Sequence, residues 1–387
     1  MKKFISISMV IVLLVSMSVS AFATTATSIV INVKKEQNQG LGLVVRAPFR
    51  ITPTNATVTY SSSDTSVATI NERGHVTSVG LGKTTITARS GNVRESYNLT
   101  VIPLSIGSEP REDAKNPGLG VRGLHKQGIT GKGVNIAYIG PGIQNGNLNN
   151  FKHTEFRNGM IKEYVNLGYG SNPTYPLLYR QLSALSGKTV GTAPESNIYL
   201  LGVPLLWGGP PIQIRHMTAG IEWVIEKNKS LSNTDKIRII VMAPWGGSLE
   251  GEEQFWDAVD RAGKSGIIIP DYGMDPFTDY GYYDTNSPDD VSKAKIGKPG
   301  ATEWHRHPRA ISAASERRTL AMPDNSYEYF NTYVNVNTEY IAGIIALGFQ
   351  VNPKLTNAQM VKLLKDTATN DIVNPPKFIE AVKRTVK

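Results

Sequence analysis

The chain has 387 residues, a formal net charge of +9, 36 glycines, 22 prolines and no cysteine. The missing thiols exclude disulfides, a cysteine nucleophile and a thiolate metal site, so stability must come from packed cores. The length fits two domains, and nothing resembles a nucleic-acid-binding module. Residues 1–23 read as a secretory signal: Lys2 and Lys3, an apolar stretch over 5–19, then Ala21-Phe22-Ala23 as processing site. Cleavage before Thr24 is expected, and no later stretch is long and apolar enough to span a bilayer. The expected location is outside the cell or at its wall, where a basic chain is drawn to anionic wall polymers.

Residues 24–102 hold short alternating segments at 29–33, 49–51, 58–61, 67–70, 75–79, 84–88 and 97–101. Strands this short and evenly spaced predict an all-β sandwich. The run TPTNATVTYSSSDTSVATI over 52–70, followed by Gly74-His75-Val76-Thr77, resembles the bacterial group 2 immunoglobulin-like module. That resemblance implies a spacer or adhesive unit at a bacterial surface.

Residues 103–117 read as a linker and 118–387 as an α/β domain. Continuous apolar runs at 134–139, 198–203, 237–242 and 266–269 predict parallel strands buried on both faces. Helices are expected at 177–185, 213–227, 251–263 and 357–367. Residues 275–297, rich in Asp, Tyr, Gly and Pro, read as a long polar loop. Its Asp279, Asp284, Asp289 and Asp290 offer oxygen ligands of the kind calcium takes, but their spacing matches no known calcium loop, and a solvated loop is preferred.

The order of motifs in this second part carries a further resemblance. Residues 129–143 read ITGKGVNIAYIGPGI, residues 186–200 SGKTVGTAPESNIYL, residues 220–225 GIEWVI, residues 239–247 IIVMAPWGG and residues 333–343 YVNVNTEYIAG. Together they resemble, in order, the blocks of the subtilisin-like serine proteases. The resemblance implies a three-layer α/β fold and an Asp, His, Ser triad with an oxyanion Asn. The aligned positions hold other residues: Gly140 for the Asp, Asn172 near the His, Asn335 for the Ser and Met274 for the oxyanion donor. An amide at 335 cannot replace the hydroxyl that attacks in acyl transfer. The cleft that binds extended peptides in that family would here be edged by Trp245, Gly246 and Gly247, with Pro244 removing one backbone donor.

No other triad is evident. The six histidines are His75, His125, His153, His216, His305 and His307, and none falls in a catalytic block. His153 with Glu155 is the nearest candidate, and surface-loop residues are the preferred reading of both. Two histidines at 305 and 307 without a third ligand make a poor zinc site. Glu339 reads as a favourable first-turn carboxylate at a helix start. The expected protein is therefore an exported pseudoprotease that binds a peptide, a partner protease or an anionic wall polymer, without cofactor or metal. The rival expectations are an active serine endopeptidase with a rebuilt triad, and a structural wall or spore-layer protein.

Overall fold

The computed structural model describes residues 24–31, 35–40, 44–102, 109–168, 174, 176–204, 210–242, 251–270, 278–297, 311–330 and 336–386. The expected signal segment therefore lies outside the described residues. The chain divides into two compact units that part at Ile102.

The first unit is built from nine strands: β1 (Ser28–Ile31), β2 (Glu36–Gly40), β3 (Val44–Arg46), β4 (Phe49–Thr52), β5 (Thr59–Ser62), β6 (Ala68–Ile70), β7 (His75–Ser78), β8 (Gly82–Ser90) and β9 (Val93–Ile102). Four associate in the order β2-β9-β8-β5 and three in the order β3-β7-β6, while β1 pairs with β4. Alternation along β8 and β9 sends Ile86, Ala88, Tyr97, Leu99 and Val101 inward, all buried, as a two-residue period requires. Strand β2 lies outside the seven expected segments. Its sequence, EQNQG, has no apolar alternation, and it runs parallel to β9 as an edge strand. Gln39 ties it across the sandwich, donating from Nε2 to the Val76 carbonyl of β7 at 3.1 Å.

The second unit contains α1 (Val121–His125), β10 (Asn135–Pro141), β11 (Ile161–Asn166), α2 (Pro176–Ser186), β12 (Asn197–Val203), α3 (Pro210–Ser230), β13 (Ile237–Met242) and α4 (Glu252–Lys264). Beyond them come β14 (Thr278–Tyr282), β15 (Lys295–Ile296), β16 (Ile311–Glu316), β17 (Arg318–Ala321), β18 (Tyr327–Phe330), α5 (Asn337–Val351), α6 (Asn357–Asp366) and α7 (Pro375–Lys383). The central sheet has the order β11-β12-β10-β13, every pair parallel. The pleat divides each strand's side chains between two cores. Ile136, Tyr138, Ile198, Leu200, Ile239 and Val241 pack with α2, α5 and α7. Ala137, Ile139, Leu201, Val203, Ile240 and Met242 pack with α3 and α4.

Helix α5 is buried along its whole length from Asn337 to Phe349, as a helix apolar on all sides must be. It passes so close to Thr192 that a Cβ on Gly343 would fall 1.6 Å from the Thr192 hydroxyl. Any larger residue at 343 therefore displaces α5. Helix α6 starts at a reciprocal capping box between Thr356 and Gln359, which satisfies two of its orphan donors.

Three expectations change. Residues 266–269 make a single parallel bridge, Ile239 to Ile268, instead of a strand, because the Gly266 turn leaves only a short apolar run alongside β13. The polar stretch 275–297 is partly ordered into β14, parallel to β16 and antiparallel to β15. Two of its aspartates serve the local backbone: Asp284 accepts from the Asn286 N–H at 2.8 Å and Asp290 from the Ser292 N–H at 3.0 Å. Asp289 accepts from the Gly120 N–H at 3.1 Å. Lastly, the expected linker is described from residue 109, and there it lies on the second unit. Thr319 brackets Arg111, donating to its carbonyl at 2.8 Å and accepting from its N–H at 3.1 Å. The Arg318 guanidinium, fully buried between Tyr283 and Tyr340, donates to the Pro117 carbonyl.

Candidate functional site

Ligand sites of open parallel sheets cluster at the carboxyl ends of the strands. Here that edge is formed by Gly140 and Pro141 of β10, in register with Gly202 and Val203 of β12. Side chains two apart on a strand share a face, so Tyr138 and Gly140 look the same way, toward α2 and α5. Tyr138 is fully buried, and its ring folds over Gly140. A Cβ built on Gly140 would lie 2.6 Å from Cε1, 2.8 Å from the phenol oxygen and 2.9 Å from Cζ of Tyr138. The room that a carboxylate at 140 needs is therefore occupied by a phenol.

The phenol is held in place. Its O–H donates to Oε1 of Gln181, a fully buried residue of α2. Burial pushes the Tyr138 pKa well above its usual range, and the carboxylate of Glu339 acts in the same direction. Glu339 lies in the first turn of α5 and is 1% exposed. It is a buried neighbour of this tyrosine, which goes beyond the first-turn role expected of it. Tyr138 and Gln181 carry a sequence signal only in retrospect: an aromatic residue stands two before a missing acid, on the same strand face.

Of the other aligned positions, Asn172, Asn335 and Met274 lie outside the described residues, as do Trp245, Gly246 and Gly247 of the expected peptide-binding edge, and His305 and His307. On the Asn172 side, the nearest described residue reaches the edge. The Thr174 hydroxyl accepts from the Gln144 N–H at 3.0 Å, just past the exit of β10. Val336, at the start of α5, is fully buried in a cluster that includes Ala184 of α2.

His153 and Glu155, expected as surface-loop residues, are both buried, at 7% and 1% exposure. Glu155 is a structural acceptor. Its Oε1 takes the N–H groups of Thr189 at 2.6 Å and Val190 at 2.9 Å. Its Oε2 takes the hydroxyls of Thr189 at 2.7 Å and Tyr327 at 2.9 Å. Thr189 and Val190 belong to a turn in which the buried Val190 N–H needs an acceptor, and the carboxylate supplies it.

His153 is fixed in one tautomer. Its Nδ1 accepts from the Glu155 N–H at 3.0 Å, so the proton sits on Nε2 and is donated to the Ser326 carbonyl at 2.8 Å. Burial lowers its pKa, and burial also lowers that of His125, whose Nε2 faces the Thr192 carbonyl at 3.0 Å. Burial thus favours the neutral form of both in the folded state. A base with a depressed folded pKa contributes stability that is full above the unfolded value, about 6.5, and is lost as pH falls toward the folded value. The urea midpoint should therefore drop between about pH 7 and pH 5, and drop less in His153→Gln. An unchanged pH profile in that variant would place the acid sensitivity elsewhere.

Comparison with known proteins agrees with this two-part organisation. Residues 23–101 match the family described as Bacterial Ig-like domain (group 2). The remainder is similar to bacterial subtilisins. Serine protease AprX of Bacillus subtilis (strain 168) is 28% identical over 281 residues, covering 62% of this chain and 62% of its own length. Subtilisin E of the same organism is 26% identical over 262 residues, covering 64% and 63%. The chain thus spans under two thirds of the length of these relatives. Among solved structures, a cold adapted subtilisin-like serine proteinase aligns over 64% of this chain and 86% of its own, with a TM-score of 0.43 and 18% identity.

Proposed function

We propose that this is an exported binding or scaffold protein of the cell envelope, built on a three-layer subtilisin-like domain that has lost its peptidase activity. The observation that supports this most directly is the Tyr138 ring over Gly140. It fills the place of the aligned catalytic acid and is anchored there by Gln181. Without a buried acid to orient it, a histidine at the aligned base position would lack its correct tautomer. The chain offers Asn172, Asn335 and Met274 where base, nucleophile and oxyanion donor align. The proposed ligand is a peptide or partner protein laid along the edge marked by Trp245, Gly246 and Gly247, a mode that needs backbone pairing and no triad.

The test is activity-based labelling. The full chain is expected to show no reaction with a fluorophosphonate probe and no casein hydrolysis. A labelled serine whose signal disappears on mutation to Ala would establish a rebuilt triad. If labelling is absent and peptide libraries also fail to bind, a purely structural envelope role replaces the binding role.

A further inference from the structure

A cleft opens beside the β10–β11 connection, away from the Tyr138 group. It has a volume of about 630 Å³ and is lined by the 148–161 stretch together with Lys188 and Asn325. The size is in the range of roughly 300–1,000 Å³ common to small-ligand and oligomer sites. Its floor is rigid and apolar. Phe151 and Phe156 are buried and stacked at 4.9 Å, and Phe151 also meets the Tyr179 ring at 4.5 Å.

The rim chemistry is one-sided. Lys152, Arg157 and Lys188 line the cleft, and no carboxylate does. None of the three cations makes an ion pair among the described residues. The Arg157 guanidinium donates to the Ser196 carbonyl at 2.9 Å. Lys188 donates to the Thr154 carbonyl at 3.0 Å, which leaves two of its protons to the cleft. Two acids stand next to lining residues in the chain, one buried and one exposed. Glu155 is buried under four donors, and Asp324, beside Asn325, acts on His153 and accepts from the Ser326 N–H at 3.3 Å. The cavity along α6 differs: there Lys362 pairs with Asp366.

The polar remainder consists of amides. Asn149, Asn158 and Asn325 are exposed at the rim; Asn149 and Asn158 carry donors and acceptors suited to hydroxyl pairs, while Asn325 accepts from the Thr154 N–H at 2.7 Å and offers its NH2 group. Cations for phosphate, amides for hydroxyls and a short apolar floor together match a polyol or sugar phosphate chain. An acidic peptide could use the same cations and meet the amides through its backbone, so a comparison with polyglutamate decides between the two. We infer that this cleft binds a segment of a phosphodiester-linked polyol polymer, a second binding site that is independent of whether the chain is a peptidase.

The test uses the full chain and fluorescently tagged poly(glycerol phosphate), read by anisotropy at low salt, where exposed charges are least screened. Lys152→Glu with Lys188→Glu should weaken binding about tenfold, since two exposed attractions become repulsions. Asn158→Ala should weaken it about threefold. Lys354→Glu with Lys362→Glu, the same charge change at the α6 cavity, should change it less than about twofold. Both lysines of the test pair are exposed, so the variant is expected to fold, with circular dichroism as the check. Equal weakening by the two lysine pairs would reduce the effect to diffuse charge and overturn the site. Equal or tighter binding of polyglutamate of matched charge would overturn the polymer class, and absence of binding would overturn both.

Discussion

Gly140→Asp, Asn172→His and Asn335→Ser combined should yield a protein that releases no p-nitroaniline from peptide substrates, and Gly140→Asp alone should destabilise the fold by about 3 kcal/mol or more. The new Cβ would enter space held by Tyr138, with two ring carbons and the phenol oxygen under 3 Å away. The ring cannot swing aside cheaply, because it is fully buried and its O–H is bound to Gln181. The carboxylate would also be buried near Glu339, whose charge already acts on Tyr138, and two like charges in a dry site disfavour ionisation. Pro141 directly follows, itself buried at the strand end and with its φ fixed by the ring. Adding Tyr138→Ala separates the causes. If the clash dominates, Tyr138→Ala and Gly140→Asp together should be less destabilising than the sum of the two single changes, a coupling that a double-mutant cycle measures. Strict additivity would show that Tyr138 is not the obstacle. Peptide turnover by the triple variant would show that the site had kept its supporting shell.

Much of this arrangement is legible in the residues, and the limits have physical causes. The strands β10, β12 and β13 were readable because strands buried on both faces must be continuously apolar, and the helices α2 to α4 because their apolar faces repeat. The gap at Gly140 was readable as an absence. What fills it was not, since the fold-back of Tyr138 depends on Gln181, 43 residues away on another element. The burial of Glu155 is not legible for the same reason: its donors come from 34 and 172 residues downstream. Strand β2 escaped notice because an edge strand of EQNQG needs only backbone pairing to β9. Residues 266–269 had the composition of a strand, but a strand also needs a partner along its length.

Glu155→Ala should lower unfolding free energy by about 3–5 kcal/mol, more than Glu155→Gln, expected at about 1–2 kcal/mol. Alanine would strand the buried N–H of Val190, and leave the N–H of Thr189 and the Tyr327 hydroxyl without their acceptor. Glutamine can keep its oxygen on the two N–H groups and turn its amide toward two hydroxyls, which can rotate to accept. The consequence should travel. The 187–191 turn leads into Thr192, which is wedged against Gly343 of α5, and α5 carries Glu339 toward the Tyr138 group. The same turn carries Lys188 to the rim of the cationic cleft. One buried carboxylate thus joins the first strand-exit loop, the central helix and the cleft. Urea denaturation of the two variants checks the order of the effects, and amide hydrogen exchange checks their reach. Loss of protection confined to 153–155, with residues 187–193 and the start of α5 unchanged, would show that Glu155 caps a local turn and positions nothing beyond it.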